Sequence, residues 1–104
     1  MVTLKRYNLL IKSMSYLNIP GSANLTGIIS EPQNIMLKDA KGRAGMARIY
    51  QNGNLKNQFR VRGKGWLQMV KDNTLKNGDV CKFKFIVSKT KDHVLCLLSK
   101  NNLI

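Results

Sequence analysis

The chain has 104 residues, 43% of them hydrophobic, and its 18 Lys plus Arg against 5 Asp plus Glu give a net charge of +13. That length supports one domain with a single core, and the apolar content removes disorder as the default. The charge points to a polyanion as partner, nucleic acid before an anionic membrane or an acidic protein.

In chain order, residues 2–6 read as a first strand. Residues 14–19 alternate Met14, Tyr16 and Asn18 against Ser15, Leu17 and Ile19, until Pro20-Gly21 stops them. Residues 22–29 are predicted to hold one or two helical turns, with Ser22 as cap and Gly27 as an interruption. Residues 35–38 form a short strand entering the turn Asp39-Ala40-Lys41-Gly42, and residues 43–51 are its hairpin partner. Asn52-Gly53-Asn54 is turn chemistry, because Asn and Gly tolerate positive φ. Residues 58–62 alternate Phe59 and Val61 with Gln58, Arg60 and Arg62, a half-exposed strand with a basic face.

Trp66, Met69 and Val70 fall at i, i+3 and i+4, so residues 66–72 are predicted as an amphipathic helix with Trp66 as its core anchor. Val80–Val87 puts Cys81, Phe83, Phe85 and Val87 on one face, with Lys82 and Lys84 as solvated exterior. Residues 93–98 close the domain as an apolar strand buried on both faces. Seven strands and two short helices suggest a mainly β fold, a barrel or a sandwich with helices plugging its ends.

No apolar run approaches the ~18 residues of a membrane span. Lys5 and Arg6 interrupt the apolar N-terminal stretch, which does not read as a signal peptide. Cys81 and Cys96 belong to no Cys-x-x-Cys, and His93 has no partner at zinc-ligand spacing, so both thiols read as buried and reduced in an intracellular protein. The few acids are scattered. Asp39 and Asp79 sit in turns, and Asp92 and His93 are adjacent, which points their side chains to opposite faces of a strand. Neither Gly63-Lys64-Gly65 nor Gly42-Arg43 matches a phosphate loop. No catalytic site, cofactor, metal or small-molecule substrate is expected.

Basic residues concentrate between Asp39 and Asp72, where eight cations occur with no carboxylate. That run ends in residues 63–85, GKGWLQMVKDNTLKNGDVCKFKF. This block resembles the signature of the plant B3-type DNA-binding domain: Gly65-Trp66, a short helix ending near Val70-Lys71-Asp72-Asn73, then Leu75 and Gly78-Asp79 opening a strand. Asn18-Ile19-Pro20 matches the family's Ile/Leu-Pro after its second strand, and residues 37–43, LKDAKGR, match its Leu-x-Asp-x-x-Gly-Arg hairpin. The likeness spans essentially the whole chain and is nearest to the reproductive-meristem and vernalization-type members. Two positions depart from the pattern. Gly45 stands where the family usually has Trp, and no bulky aromatic follows Pro20; Met46, Leu25 and Ile28 are expected to refill that part of the core.

The resemblance implies a seven-stranded open β-barrel (a pseudobarrel) with two helices, one module of a longer multi-domain nuclear protein that regulates transcription. It implies that two loops enter the major groove of double-stranded DNA. The first, the N-arm, maps to about residues 7–15, with Lys12, Ser13 and Ser15 as base-reading candidates. The second, the C-arm, maps to about residues 51–60, with Asn52, Asn54, Lys56, Asn57, Gln58 and Arg60. Asn, Gln and Arg are the side chains able to bond adenine and guanine edges there. Lys41, Arg43, Arg62 and Lys64 are the phosphate candidates. Further partners would be other domains of the same chain or other transcription regulators. The alternative is a basic module that holds DNA, RNA or an acidic partner by charge without reading bases.

Overall fold

Alternation of buried and outward side chains builds most of this molecule. The computed structural model describes residues 3–23, 25, 27–53, 58–88 and 92–101. Seven strands follow one another in it: β1 (Thr3–Leu10), β2 (Tyr16–Ile19), β3 (Gln33–Lys38), β4 (Ala44–Gln51), β5 (Phe59–Arg62), β6 (Val80–Val87) and β7 (His93–Asn101). One α-helix, α1 (Lys64–Asp72), lies between β5 and β6. The strands form one sheet in the order β1-β6-β7-β3-β4-β5-β2, antiparallel throughout except where β3 runs beside β7. The sheet curls into a nearly closed barrel. β1 and β2 flank its seam, and the Tyr7 hydroxyl crosses it to donate to the Ala23 carbonyl at 2.8 Å.

Inward residues of every strand meet in one core, in which Trp66, Phe83 and Phe85 are the largest fully buried side chains. Trp66 and Met69 enter this core from α1. The helix approaches β4 so closely that a Cβ at Gly65 would lie 2.8 Å from the Met46 carbonyl carbon. Only glycine fits there. Gly63 caps the helix at φ 122°, a left-handed value that disfavours any side chain.

The structure changes several expectations. The segment 22–29 holds no α-helix but, as expected, a turn or two: a 3-10 turn at Gly21–Ala23 and an isolated turn closed by Ile28 and Ile29 on the Leu25 carbonyl. Asn24 and Thr26 lie outside the described residues. Pro20, Gly21 and Gly27 deny that segment the uninterrupted run a helix needs. β1 continues past Arg6 to Leu10, and α1 begins at Lys64 rather than Trp66. Leu25 is buried and Ile28 half-buried, but Met46 points outward and is 44% exposed, so it refills nothing. β7 is buried on its inner face alone; Val94, Cys96 and Leu98 on the other face are half-buried. Cys81 is buried, and burial first, then the nearby Asp79 charge, pushes its thiol up to about 11 against the opposing pull of Lys100.

Candidate nucleic-acid interface

Strand β2 pairs with β5 over four residues, Tyr16 with Arg62 through Ile19 with Phe59. Since Leu17, Ile19, Phe59 and Val61 face the core, Tyr16, Asn18, Arg60 and Arg62 face outward. β4 adds Arg48 beside Arg62 and Tyr50 beside Arg60. The Arg60 guanidinium carbon lies 4.1 Å from the Tyr16 ring centroid, and Arg48 Nη1 donates to Asn34 Oδ1 at 3.2 Å. The outer face of these strands is therefore polar and basic.

The antiparallel register roots one loop at each end of this ladder. The loop 11–15 enters β2 beside Arg62, whereas the loop 52–58 enters β5 beside Ile19. Residues 7–10 of the expected first arm belong to β1, so the arm itself is shorter than the sequence suggested. Three hydrogen bonds hold it in place. The Ile11 N–H donates to the Asp79 carbonyl at 2.8 Å, the Gly78 N–H donates to the Ile11 carbonyl at 2.8 Å, and Trp66 Nε1 donates to the Met14 carbonyl at 3.1 Å. Lys12 and Ser15 are exposed; Ser13 is half-buried and its Oγ accepts from the Ser15 N–H. At the other end the Asn52 N–H donates to the Gln58 carbonyl at 2.8 Å and closes the stem, leaving both side chains half-buried. Asn54, Lys56 and Asn57 lie outside the described residues.

The phosphate candidates divide. Arg62 and Lys64 are exposed and continue the basic face past β5. Lys64 opens α1, whose first turn carries no acid, so its charge adds to the positive end of the helix dipole instead of offsetting it. Lys41 and Arg43 sit on the β3–β4 hairpin, at the end of β4 that faces α1. Lys41 is exposed, but Arg43 is engaged. Its Nε bonds Asp39 Oδ2 at 2.7 Å, and Asp72 lies 4.0 Å away. Burial alone would raise the Asp39 pKa. Donors from Arg43, Asn73 and the Lys41 N–H outweigh it and hold it at about 2. Arg43 thus helps to lock the hairpin onto α1.

Sequence reasoning missed Tyr16, Asn18, Arg48 and Tyr50 as parts of this face. Period-two alternation places each of them outward, but only the pairing of β2 with β5 brings them beside Arg60 and Arg62. No cluster of three metal-binding side chains and no helix long and apolar enough to cross a membrane occurs among the described residues.

Residues 4–101 match the family described as B3 DNA binding domain. In fold the chain is similar to a hypothetical protein of Arabidopsis thaliana, with a TM-score of 0.63 and 23% identity over 93% of this chain and 90% of that one. No curated protein matches the sequence.

Proposed function

Because the chain belongs to the B3 DNA binding domain family, we propose that it grips double-stranded DNA by setting the loops 11–15 and 52–58 into the major groove, as the recognition module of a plant transcription regulator in the nucleus. The observation that carries this reading is the β2–β5 register, which roots the two loops at opposite ends of one short basic ladder. Three residue steps of strand measure about 10 Å, a span comparable with the ~12 Å width of the major groove. In this reading Lys12, Ser13, Ser15, Asn52, Asn54, Lys56, Asn57, Gln58 and Arg60 face base edges. Lys41, Arg62 and Lys64 face phosphates, and Arg43 contributes there only with nitrogens that Asp39 does not hold. The domain would be one of several in a longer chain of the reproductive-meristem or vernalization type, on the motifs quoted above.

Selection from a pool of random duplexes, followed by sequencing, tests the proposal. An enriched motif is expected. Salt-sensitive binding without enrichment would leave association by charge alone, and equally tight binding of hairpin RNA or single strands would remove duplex recognition altogether.

A further inference from the structure

The outer side of β1 and β6 carries a second cluster of cations, separate from the β2–β5 ladder. On β1, Arg6 and Asn8 point outward, since Tyr7 and Leu9 pack on the core. On β6, Lys82 and Lys84 alternate with the buried Cys81, Phe83 and Phe85. The register sets Arg6 opposite Lys84 and Asn8 opposite Lys82, and β7 adds Ser99 beside Lys82. Arg6, Asn8, Lys82 and Ser99 are exposed and Lys84 is half-buried. Arg6, Tyr7, Asn8 and Lys82 line an open depression of about 160 Å³.

None of the three cations forms an ion pair among the described residues. Like charges directly opposite one another on paired strands are destabilising, so Arg6 against Lys84 is a cost that solvation alone leaves in place. An anion lying between the two removes it. The same arrangement, Arg48 opposite Arg62, occurs on the face proposed to meet DNA. Arg, Lys, Asn and Ser are all side chains that donate to phosphate oxygens, and the cluster contains no acid.

We propose that this cluster binds the phosphate backbone of a second DNA segment, so that one domain holds two duplexes; this rests on the reading that the loops 11–15 and 52–58 hold the first. Lys82 and Lys84 stand two residue steps apart, about 6.8 Å, the axial spacing of two phosphate steps along one strand. The cluster therefore fits a short stretch of one backbone and reads no bases. β1 and β6 lie two strand positions around the barrel from β5 and β2 respectively. In a nearly closed barrel of seven strands that is more than a quarter of the circumference, so a straight duplex seated on the loops turns away from the cluster. Repulsion between the two duplexes is screened beyond about 10 Å. Among polyanions DNA is favoured because a long duplex held at the first face presents its own further segments at high local concentration.

The probe is a short duplex of unrelated sequence, added in excess to the domain already saturated with its selected duplex. Sedimentation velocity at low salt should show two duplexes per domain. Amide shift mapping on the wild type, which needs no variant to fold, should place the first equivalent on the loops 11–15 and 52–58 and the second on β1, β6 and Ser99. A first equivalent that spares the loops removes the loop reading; a second that spares β1 and β6 removes this one. Affinity for the second duplex should fall about 40-fold between about 50 and about 200 mM salt, the slope of about −2.7 expected for three phosphate contacts. Arg6→Gln with Lys82→Gln should reduce that slope by about 1.8 and leave the first duplex unchanged. Lys71→Gln with Lys76→Gln removes the same charge at exposed sites elsewhere and should leave the second duplex bound as before. One duplex per domain at low salt overturns the proposal. So does an equal loss from the Lys71 and Lys76 pair, or displacement of the second duplex by polyglutamate at lower concentration than by free duplex.

Discussion

Arg60 is stacked on Tyr16 from the neighbouring strand, 4.1 Å from guanidinium carbon to ring centroid, and its Nε is buried without a hydrogen-bond partner among the described residues. The ring therefore fixes the direction in which the remaining guanidinium nitrogens point. A contact of this kind is worth about 0.5–1 kcal/mol at an exposed site, so Tyr16→Leu should weaken binding of the selected duplex by roughly two- to fivefold. Tyr16→Phe keeps the ring and should bind as the wild type. A double-mutant cycle by fluorescence anisotropy checks the positioning role: once Arg60 is Ala, the Tyr16 substitution should cost nothing more. Additive losses would separate the two residues.

Lys64 and the stem residues of the 52–58 loop should fail differently. Lys64→Ala should weaken all duplexes alike and reduce the slope of log affinity against log salt by about 0.9 for one phosphate contact. Asn52→Ala and Gln58→Ala should instead change which base is preferred, by about 1–3 kcal/mol at the position read. Salt titrations on the best duplex and its single-base variants distinguish the two patterns. A preference change from Lys64→Ala would reverse the assignment.

Gly65→Ala should invert the usual rule. Inside an ordinary helix that exchange stabilises by about 1 kcal/mol. Here the added methyl meets the Met46 carbonyl, and β4 and α1 must separate to admit it. The expected result is a loss of about 1–3 kcal/mol, the usual range for overpacking. A thermal melt reads it as a lower Tm, and a Tm at or above the wild-type value would show that α1 can slide on β4.

The Asp39 network predicts a pH dependence. The folded value of about 2 lies below the unfolded value of about 3.9, so the ionised carboxylate contributes its full stability at neutral pH. That contribution shrinks as pH falls below the unfolded value and is gone once pH passes through the folded one. Asp39→Asn lacks it at every pH. Urea midpoints of wild type and variant should therefore differ at pH 7 and converge as the pH approaches 2. A gap that stays constant with pH would mean that shape rather than charge stabilises the hairpin.

Most of the scaffold could be read from period alone, because Lys82-Phe83-Lys84-Phe85 and the Trp66, Met69, Val70 spacing each state one buried face. The ends of elements were less legible. Lys64 and Gly65 belong to α1 but carry no apolar signal, and Asn8 sits on the outer face of β1, where polarity says nothing about pairing. The basic outer face of β5 was legible in Arg60 and Arg62, but the face assembled around it was hidden. Tyr16 and Arg60 are far apart in sequence, and no local pattern announces that β2 lies beside β5 rather than β1. Met46 was misread for a similar reason: its alternation partner Ala47, not Met46, faces inward.

The three anchors of the loop 11–15 take from it only main-chain atoms, the N–H and carbonyl of Ile11 and the carbonyl of Met14. Substituting Lys12, Ser13 or Ser15 leaves every one of them in place. In the proposed reading, the loop can therefore change the duplex it prefers by single substitutions that leave the fold intact. The frame stays, and the side chains mounted on it are free to vary.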